Sequence, residues 1–208
     1  MTTTAPGQRA QSGAPLAPPT PTMLNHLAYV TPSAEDTVDF YTRVMKMDFV
    51  QAVMDDRIPS TGDPFPYFHI FFRMRDGSTL AFFEAPDLPP RSKPSHPAYE
   101  TFDHLALHAD SVADVDAWHA HISAQGIEVV GPVNHGIIYS IYFYDPVNDI
   151  RLEITTPLDP DWNNRGEAAQ AALETWAAAK QRARTKGTSV LDEIQIQHRV
   201  TTALESDS

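Results

Sequence analysis

With nine histidines and no cysteine, imidazole and carboxylate are the side chains with which this chain could hold a metal or move a proton. Their most suggestive placement lies between Phe102 and Thr156. That stretch opens with Phe-Asp-His-Leu-Ala-Leu-His, carrying His104, and closes with Asp145-Pro-Val-Asn-Asp-Ile-Arg-Leu-Glu-Ile-Thr, carrying Glu153. Its pattern reads strand, helix, strand, strand, strand, with the histidine in the first strand and the glutamate in the last. A neutral imidazole and a carboxylate presented by two strands of one sheet are good ligands for a divalent cation.

The elements that would position them occur twice. Asn25-His26-Leu27-Ala28 matches Asp103-His104-Leu105-Ala106. Seven residues after each histidine stands a helix-capping serine, Ser33 or Ser111, and ten after it an acid at N3, Asp36 or Asp114. Fourteen after it comes a helix aromatic, Phe40 or Trp118. Asp76-Gly77 before the last strand of the first half answers Asp145-Pro-Val-Asn-Asp149 in the second. The expected fold class is α+β: tandem βαβββ modules forming a shared open-barrel cleft, followed by a C-terminal helical extension. The expected division is an N-terminal arm at 1–21, modules at 22–86 and 102–157 joined by a proline-rich linker at 87–101, and an extension at 158–208. In the first module, strands are expected over Met23–Val30, Phe49–Val53, Tyr67–Met74 and Thr79–Ala85. In the extension, Arg165–Arg184 is expected to be a helix, with a second, weaker one in Ser189–Leu204.

Composition excludes some classes. At 208 residues and 42% hydrophobic, the chain can bury one substantial core or two small modules sharing one. A net charge of -12 argues against nucleic acid and anionic membrane as partners. No apolar run is long enough to span a bilayer, and residues 1–21 lack the apolar stretch of a secretory signal. That arm, rich in Thr, Pro and small polar residues, is expected to be disordered. Absence of cysteine makes the cytoplasm the default compartment. A homodimer or higher homo-oligomer is expected.

Paired βαβββ modules, His26 and His104 in the opening strands, and Asp145-Pro-…-Arg-Leu-Glu153 in the last resemble the vicinal oxygen chelate superfamily. That group includes glyoxalase I, fosfomycin-resistance enzymes, methylmalonyl-CoA epimerase, bleomycin-binding proteins and type I extradiol dioxygenases. The resemblance covers Leu24 to Pro157. It implies a divalent metal held by His26, His104 and Glu153. Glyoxalase I adds a glutamate from the last strand of the first module. Here, four residues after Gly77, as Glu153 is four after Asp149, stands Ala81. Glu84 lies three residues further on, an odd offset that puts it on the opposite strand face unless a bulge intervenes. Two histidines and one carboxylate suit Fe(II) enzymes that bind substrate and dioxygen together. Fe(II) is therefore the expected ion, with Zn, Ni or Mn as alternatives.

The resemblance is nearest to one-domain extradiol enzymes, and implies a small catechol-like aromatic and dioxygen as substrates. It places a tyrosine before the final turn, on a substrate hydroxyl. Tyr142 matches that place or is an ordinary strand aromatic. His135 stands on the loop entering that strand, either as a group stabilising bound oxygen or the substrate anion, or as an exposed loop residue. Extradiol enzymes also carry an acid–base histidine at the turn where this chain has Gly77-Ser78. His69, in Tyr-Phe-His-Ile-Phe-Phe, is the substitute considered, with a buried structural role as the alternative. Phe65, Tyr67, Phe71, Phe72, Phe82 and Phe83 would wall an aromatic pocket or, about half of them, fill the core. The alternative functions are a lyase, isomerase or thiol transferase using the metal as a Lewis acid, and a metal-free binding protein.

Overall fold

The computed structural model describes residues 20–89 and 92–196. The expected arm falls outside them except for its last two residues, and so does the end of the chain beyond 196, including half of the expected second C-terminal helix. Two compact units are present: Met1–Tyr99 with Asp145–Ile150, and Glu100–Tyr144 with Arg151–Ser208.

The first unit holds β1 (His26–Thr31), α1 (Ala34–Asp39), which runs on through a π-helical turn at Phe40–Val44, and β2 (Asp48–Arg57), β3 (Pro64–Arg73) and β4 (Thr79–Glu84). Between the units' main elements lies α2 (Pro97–Phe102). The second unit holds β5 (Leu105–His108), α3 (Val112–Ala124), β6 (Val130–Asn134), β7 (Ile138–Asp145), β8 (Ile150–Pro157) and α4 (Gly166–Lys186). Each set of four strands forms an open sheet, ordered β1-β4-β3-β2 and β5-β8-β7-β6. In both, the opening strand pairs in parallel with the last. The class is α+β, as two βαβββ modules with a C-terminal helical extension.

The repeated start signals produce the same local structure. Ser33 and Ser111 both adopt extended backbone and accept the Asp36 and Asp114 amides at 3.2 Å, which satisfies an otherwise orphaned N–H of each helix. Period-two burial then separates the sheet faces. In the first unit Ile70, Phe72, Leu80 and Phe82 are buried, and Tyr41 stacks on Phe72 and Phe82 at centroid distances of 5.1 and 4.9 Å. In the second, Ile141, Phe143, Leu152 and Ile154 are the buried strand positions, and Val115 and Ile122 those of α3.

Several expected boundaries move: β1 begins at His26 rather than Met23, β2 runs on to Arg57 rather than Val53, and β3 begins at Pro64 rather than Tyr67. Pro97 opens α2 where linker and strand were expected, since proline's fixed φ and missing N–H suit a first helical turn. As a consequence β5 begins only at Leu105, and His104 precedes the strand rather than lying within it. In the extension, α4 closes on Gly187 at φ 69°, a left-handed conformation that glycine adopts without a Cβ penalty. The buried side of α4 is Ala179 and Ala183, whereas Leu173 and Trp176 are exposed. Residues 190–196 are helical, and their Glu193 carboxylate, 2% exposed, takes Arg182, Lys186 and Thr188 within 3.2 Å.

The turn after β7 rests on Asp145. Its fully buried carboxylate accepts the Val147 and Asn148 amides at 2.8 and 3.2 Å, the Asn148 side-chain amide at 2.7 Å and the Tyr41 hydroxyl at 3.0 Å. Burial first, then the Asp145 charge, pushes the Tyr41 hydroxyl well above its ordinary pKa. Asp149 then takes a positive φ of 54°, as Gly77 does at 89° in the first module. Because the hydrogen bond from Tyr41 to a buried anion has no water to replace it, Tyr41→Phe should cost about 1.5–3 kcal/mol. Urea unfolding with an unchanged m-value is the measurement.

Candidate functional site

On β8, alternation sends Leu152 and Ile154 to the core and Arg151, Glu153 and Thr155 to the other face. On neighbouring β7 the matching residues are Ser140 and Tyr142. Ser140 and Thr155 hydroxyls meet at 2.8 Å, and the Arg151 guanidinium lies over the Tyr142 ring, 4.3 Å from its centroid.

His104 reaches this face from just before β5. Its Nε2 stands 2.8 Å from Glu153 Oε2, and its Nδ1 lies 2.9 Å from the Phe102 carbonyl oxygen. A carbonyl only accepts, so Nδ1 carries a hydrogen. Nε2 then either holds a second proton, making an imidazolium–carboxylate pair, or turns a lone pair toward an anion. The second arrangement is repulsive unless a cation or the carboxyl proton lies between the two atoms. Glu153 is 3% exposed at its side chain, and its Oε1 is buried without a hydrogen-bond partner. An unpaired buried carboxylate oxygen is costly, and a divalent ion would relieve it. A histidine anchored through Nδ1 by a carbonyl, with Nε2 beside a buried carboxylate, is a donor set that fits such an ion.

Tyr142 adjoins this pair. Its ring meets His104 edge-on at 6.0 Å, and its hydroxyl lies 2.9 Å from His135 Nε2. Burial first, then the Glu153 charge, raises the Tyr142 hydroxyl above its ordinary pKa of 10.0, so it stays protonated at neutral pH. His104, Glu153, Tyr142 and His135 therefore gather on one face of the second sheet. Sequence reasoning passed over Arg151, although its place two residues before Glu153 puts it on the same strand face.

The first unit carries the other two candidate histidines, His26 and His69. His26 Nδ1 lies 2.7 Å from the Asn25 side-chain oxygen, which leaves Nε2 as its free ring nitrogen. His69 is 6.2 Å from His26, centroid to centroid, and stacks on Phe83 at 3.5 Å and 17°. Phe71 adjoins both histidine rings, whereas Phe72 and Phe82 belong to the core. Burial first, then His26, lowers the His69 pKa from 6.5 to about 4, so its imidazole is neutral at physiological pH. Among the described residues, no three His, Asp or Glu side chains are gathered closely enough to hold a metal ion.

Strand register identifies equivalent positions. β1 pairs Ala28 with Ala81, and β5 pairs Ala106 with Glu153. Each alanine follows its histidine by two residues, so Ala81 occupies the place in the first sheet that Glu153 holds in the second. Glu84 pairs with Thr31, and its Oε2 accepts the Ala34 amide at 2.7 Å. It caps α1 from the helix-covered face.

A family model described as Glyoxalase/Bleomycin resistance protein/Dioxygenase superfamily matches residues 23–161. The chain belongs to this superfamily. The superfamily match ends before α4. Among solved structures, a glyoxylase/bleomycin resistance protein/dioxygenase domain from Frankia sp. EAN1pec superposes with a TM-score of 0.53 at 15% identity, covering 68% of this chain and 96% of that one. A glyoxalase/dioxygenase from Nostoc punctiforme gives 0.50 at 22% identity, covering 72% and 100%. FosX, a fosfomycin resistance protein from Listeria monocytogenes solved with Mn(II) and sulfate, gives 0.45 at 20% identity, covering 66% and 93%. The first two likenesses show the fold alone. No curated protein matches the chain. Among the described residues, no helix is long and apolar enough to cross a membrane.

The lowered His69 pKa has a definite sign. Between about pH 6.5 and 4 the unfolded chain takes up a proton that the folded metal-free protein refuses, so stability falls as pH drops through that window. NMR should place the His69 titration near pH 4, and His69→Phe should flatten this part of the stability profile. A His69 midpoint above pH 6 would contradict the burial argument.

Proposed function

We propose that this superfamily member is a metal-dependent enzyme, an extradiol-type dioxygenase that cleaves a catechol-like aromatic, with His26, His104 and Glu153 as ligands of Fe(II). The observation that carries this reading is the equivalence of Ala81 and Glu153. The repeat offers a histidine in each half and a carboxylate in only one, and the nearest other candidate, Glu84, is engaged as a helix cap. Two histidines and one carboxylate leave about three cis positions for substrate and dioxygen. His26 enters through the repeat, whereas the His104–Glu153 pair is supported by its 2.8 Å contact and by the unpaired Glu153 Oε1.

Bound there, ferrous iron would supply redox chemistry with dioxygen and would acidify a catechol hydroxyl. The chain's own groups would handle protons. Tyr142, kept protonated, can donate a hydrogen bond to a substrate oxyanion. His135, exposed and hydrogen-bonded to that hydroxyl, can pass a proton between it and solvent. Ser78 at the hairpin turn is committed to Asp76 through both its amide and its hydroxyl, so it does not replace the usual acid–base histidine. His69, neutral and stacked, offers an uncharged aromatic edge beside His26.

The test is anaerobic reconstitution with Fe(II), followed by aerated catechols. The expected outcome is oxygen uptake with a yellow ring-fission product. Glu153→Gln should lose iron, while Glu84→Gln should retain it. Silence across a catechol panel by an iron-loaded protein would sink the dioxygenase reading, and turnover of a hemithioacetal or thiol transfer with Zn or Ni would move the assignment to Lewis-acid chemistry.

A further inference from the structure

Arg151 is the one cation placed on the candidate site's face of β8, and nothing assigned above uses it. The side chain is half-buried. One Nη1 hydrogen goes to the Thr101 carbonyl, and the guanidinium carbon sits over the Tyr142 ring. No carboxylate lies within 4.0 Å of its nitrogens among the described residues, although the chain carries 27 acids against 15 lysines and arginines. Other arginines here are paired with acids: Arg43 with Asp39, Arg73 with Asp48, Arg165 with Asp159 and Arg182 with Glu193.

A guanidinium has five N–H donors in a rigid planar fork. The Thr101 carbonyl and the Tyr142 face hold that fork in place while leaving most of its donors without a protein acceptor. An arginine fixed by a carbonyl and an aromatic face, with no acid to neutralise it, is preorganised for an external anion. Two residues along the same strand face stands Glu153, and beneath the guanidinium is Tyr142, so an anion held by Arg151 would be part of whatever molecule occupies the candidate site.

We infer that Arg151 is a specificity-determining residue that selects an aromatic substrate bearing a carboxylate, and that it pairs with that carboxylate through its free N–H groups. This rests on the site reading above and deepens it. Neutral catechols would then bind, but without the charge-assisted contact. A charge-assisted bidentate contact corresponds to roughly ten- to hundredfold in affinity.

The experiment measures binding, so that it does not depend on turnover. Full-length protein loaded with redox-inert Zn(II) is titrated calorimetrically with 3,4-dihydroxybenzoate, 3,4-dihydroxyphenylacetate, catechol and 4-methylcatechol. Wild type should bind at least one acid about tenfold or more tightly than its neutral partner, and the preference should shrink as salt is raised. Arg151→Gln should abolish the preference while leaving neutral catechols within about twofold. Arg151→Lys, which keeps the charge and loses the fork, should retain part of it. Equal affinity of wild type for acids and neutral catechols, or no binding of any acid, overturns the inference whatever the variants do. Equal loss of both ligand classes in a folded Arg151→Gln protein also overturns it. The outcome is separable from the dioxygenase reading: acid selectivity without oxygen uptake by the iron-loaded enzyme would spare Arg151 and remove the ring-cleavage assignment.

Discussion

A strand can show only every second side chain to a given face, and each sheet here has one face committed to its core. That constraint decides what every strand residue near the candidate site can do. Leu152 and Ile154 are buried, so Arg151, Glu153 and Thr155 must point the other way. Leu80 and Phe82 are buried, so Glu84 shares the helix-covered face and ends as a cap for α1. Matched histidines and equivalent turns in the two halves thus end in different side-chain sets, because alanine stands in one sheet where glutamate stands in the other.

The start of β8 is the place where that alternation could slip. One residue more or fewer in the preceding turn would send Glu153 into the core and Leu152 out of it. Asp145 prevents this by collecting two backbone amides, a side-chain amide and the Tyr41 hydroxyl, so its buried charge is fully used. The turn also depends on Asp149 adopting a left-handed conformation that short polar side chains tolerate better than most. A network made of a carboxylate, a phenol and an asparagine thus fixes the register of a strand whose chemistry lies elsewhere.

Much of this was legible in the sequence, because the signals were local and repeated. Ser33 and Ser111 announce their helices, and Gly77 and Asp149 mark equivalent turns. Parity alone separated Glu84 from Ala81. The less legible features depend on non-local packing. Pro97–Phe102 forms a helix in a stretch whose prolines suggested a linker, which moves His104 off the end of β5. The depressed basicity of His69 comes first from burial and then from His26, a residue of another strand. Arg151 carries no signal of its own, since sequence does not say which acids a cation will fail to meet. The hydrogen-bonded pairing of His135 and Tyr142 likewise spans a loop whose path no periodicity encodes.

Ala81 has a consequence for the history of the chain. Alanine and glutamate codons can differ by a single base, so one residue change separates this first module from a carboxylate at the place Glu153 marks in the second. An internally duplicated scaffold of this kind keeps two ligand arrangements within one mutational step of each other. The neighbour that gates that step is Phe71, which faces Ala81 across the β3–β4 pairing. Any lineage that acquired the acid would have had to accommodate that ring as well, which couples the identity of two positions that share no motif.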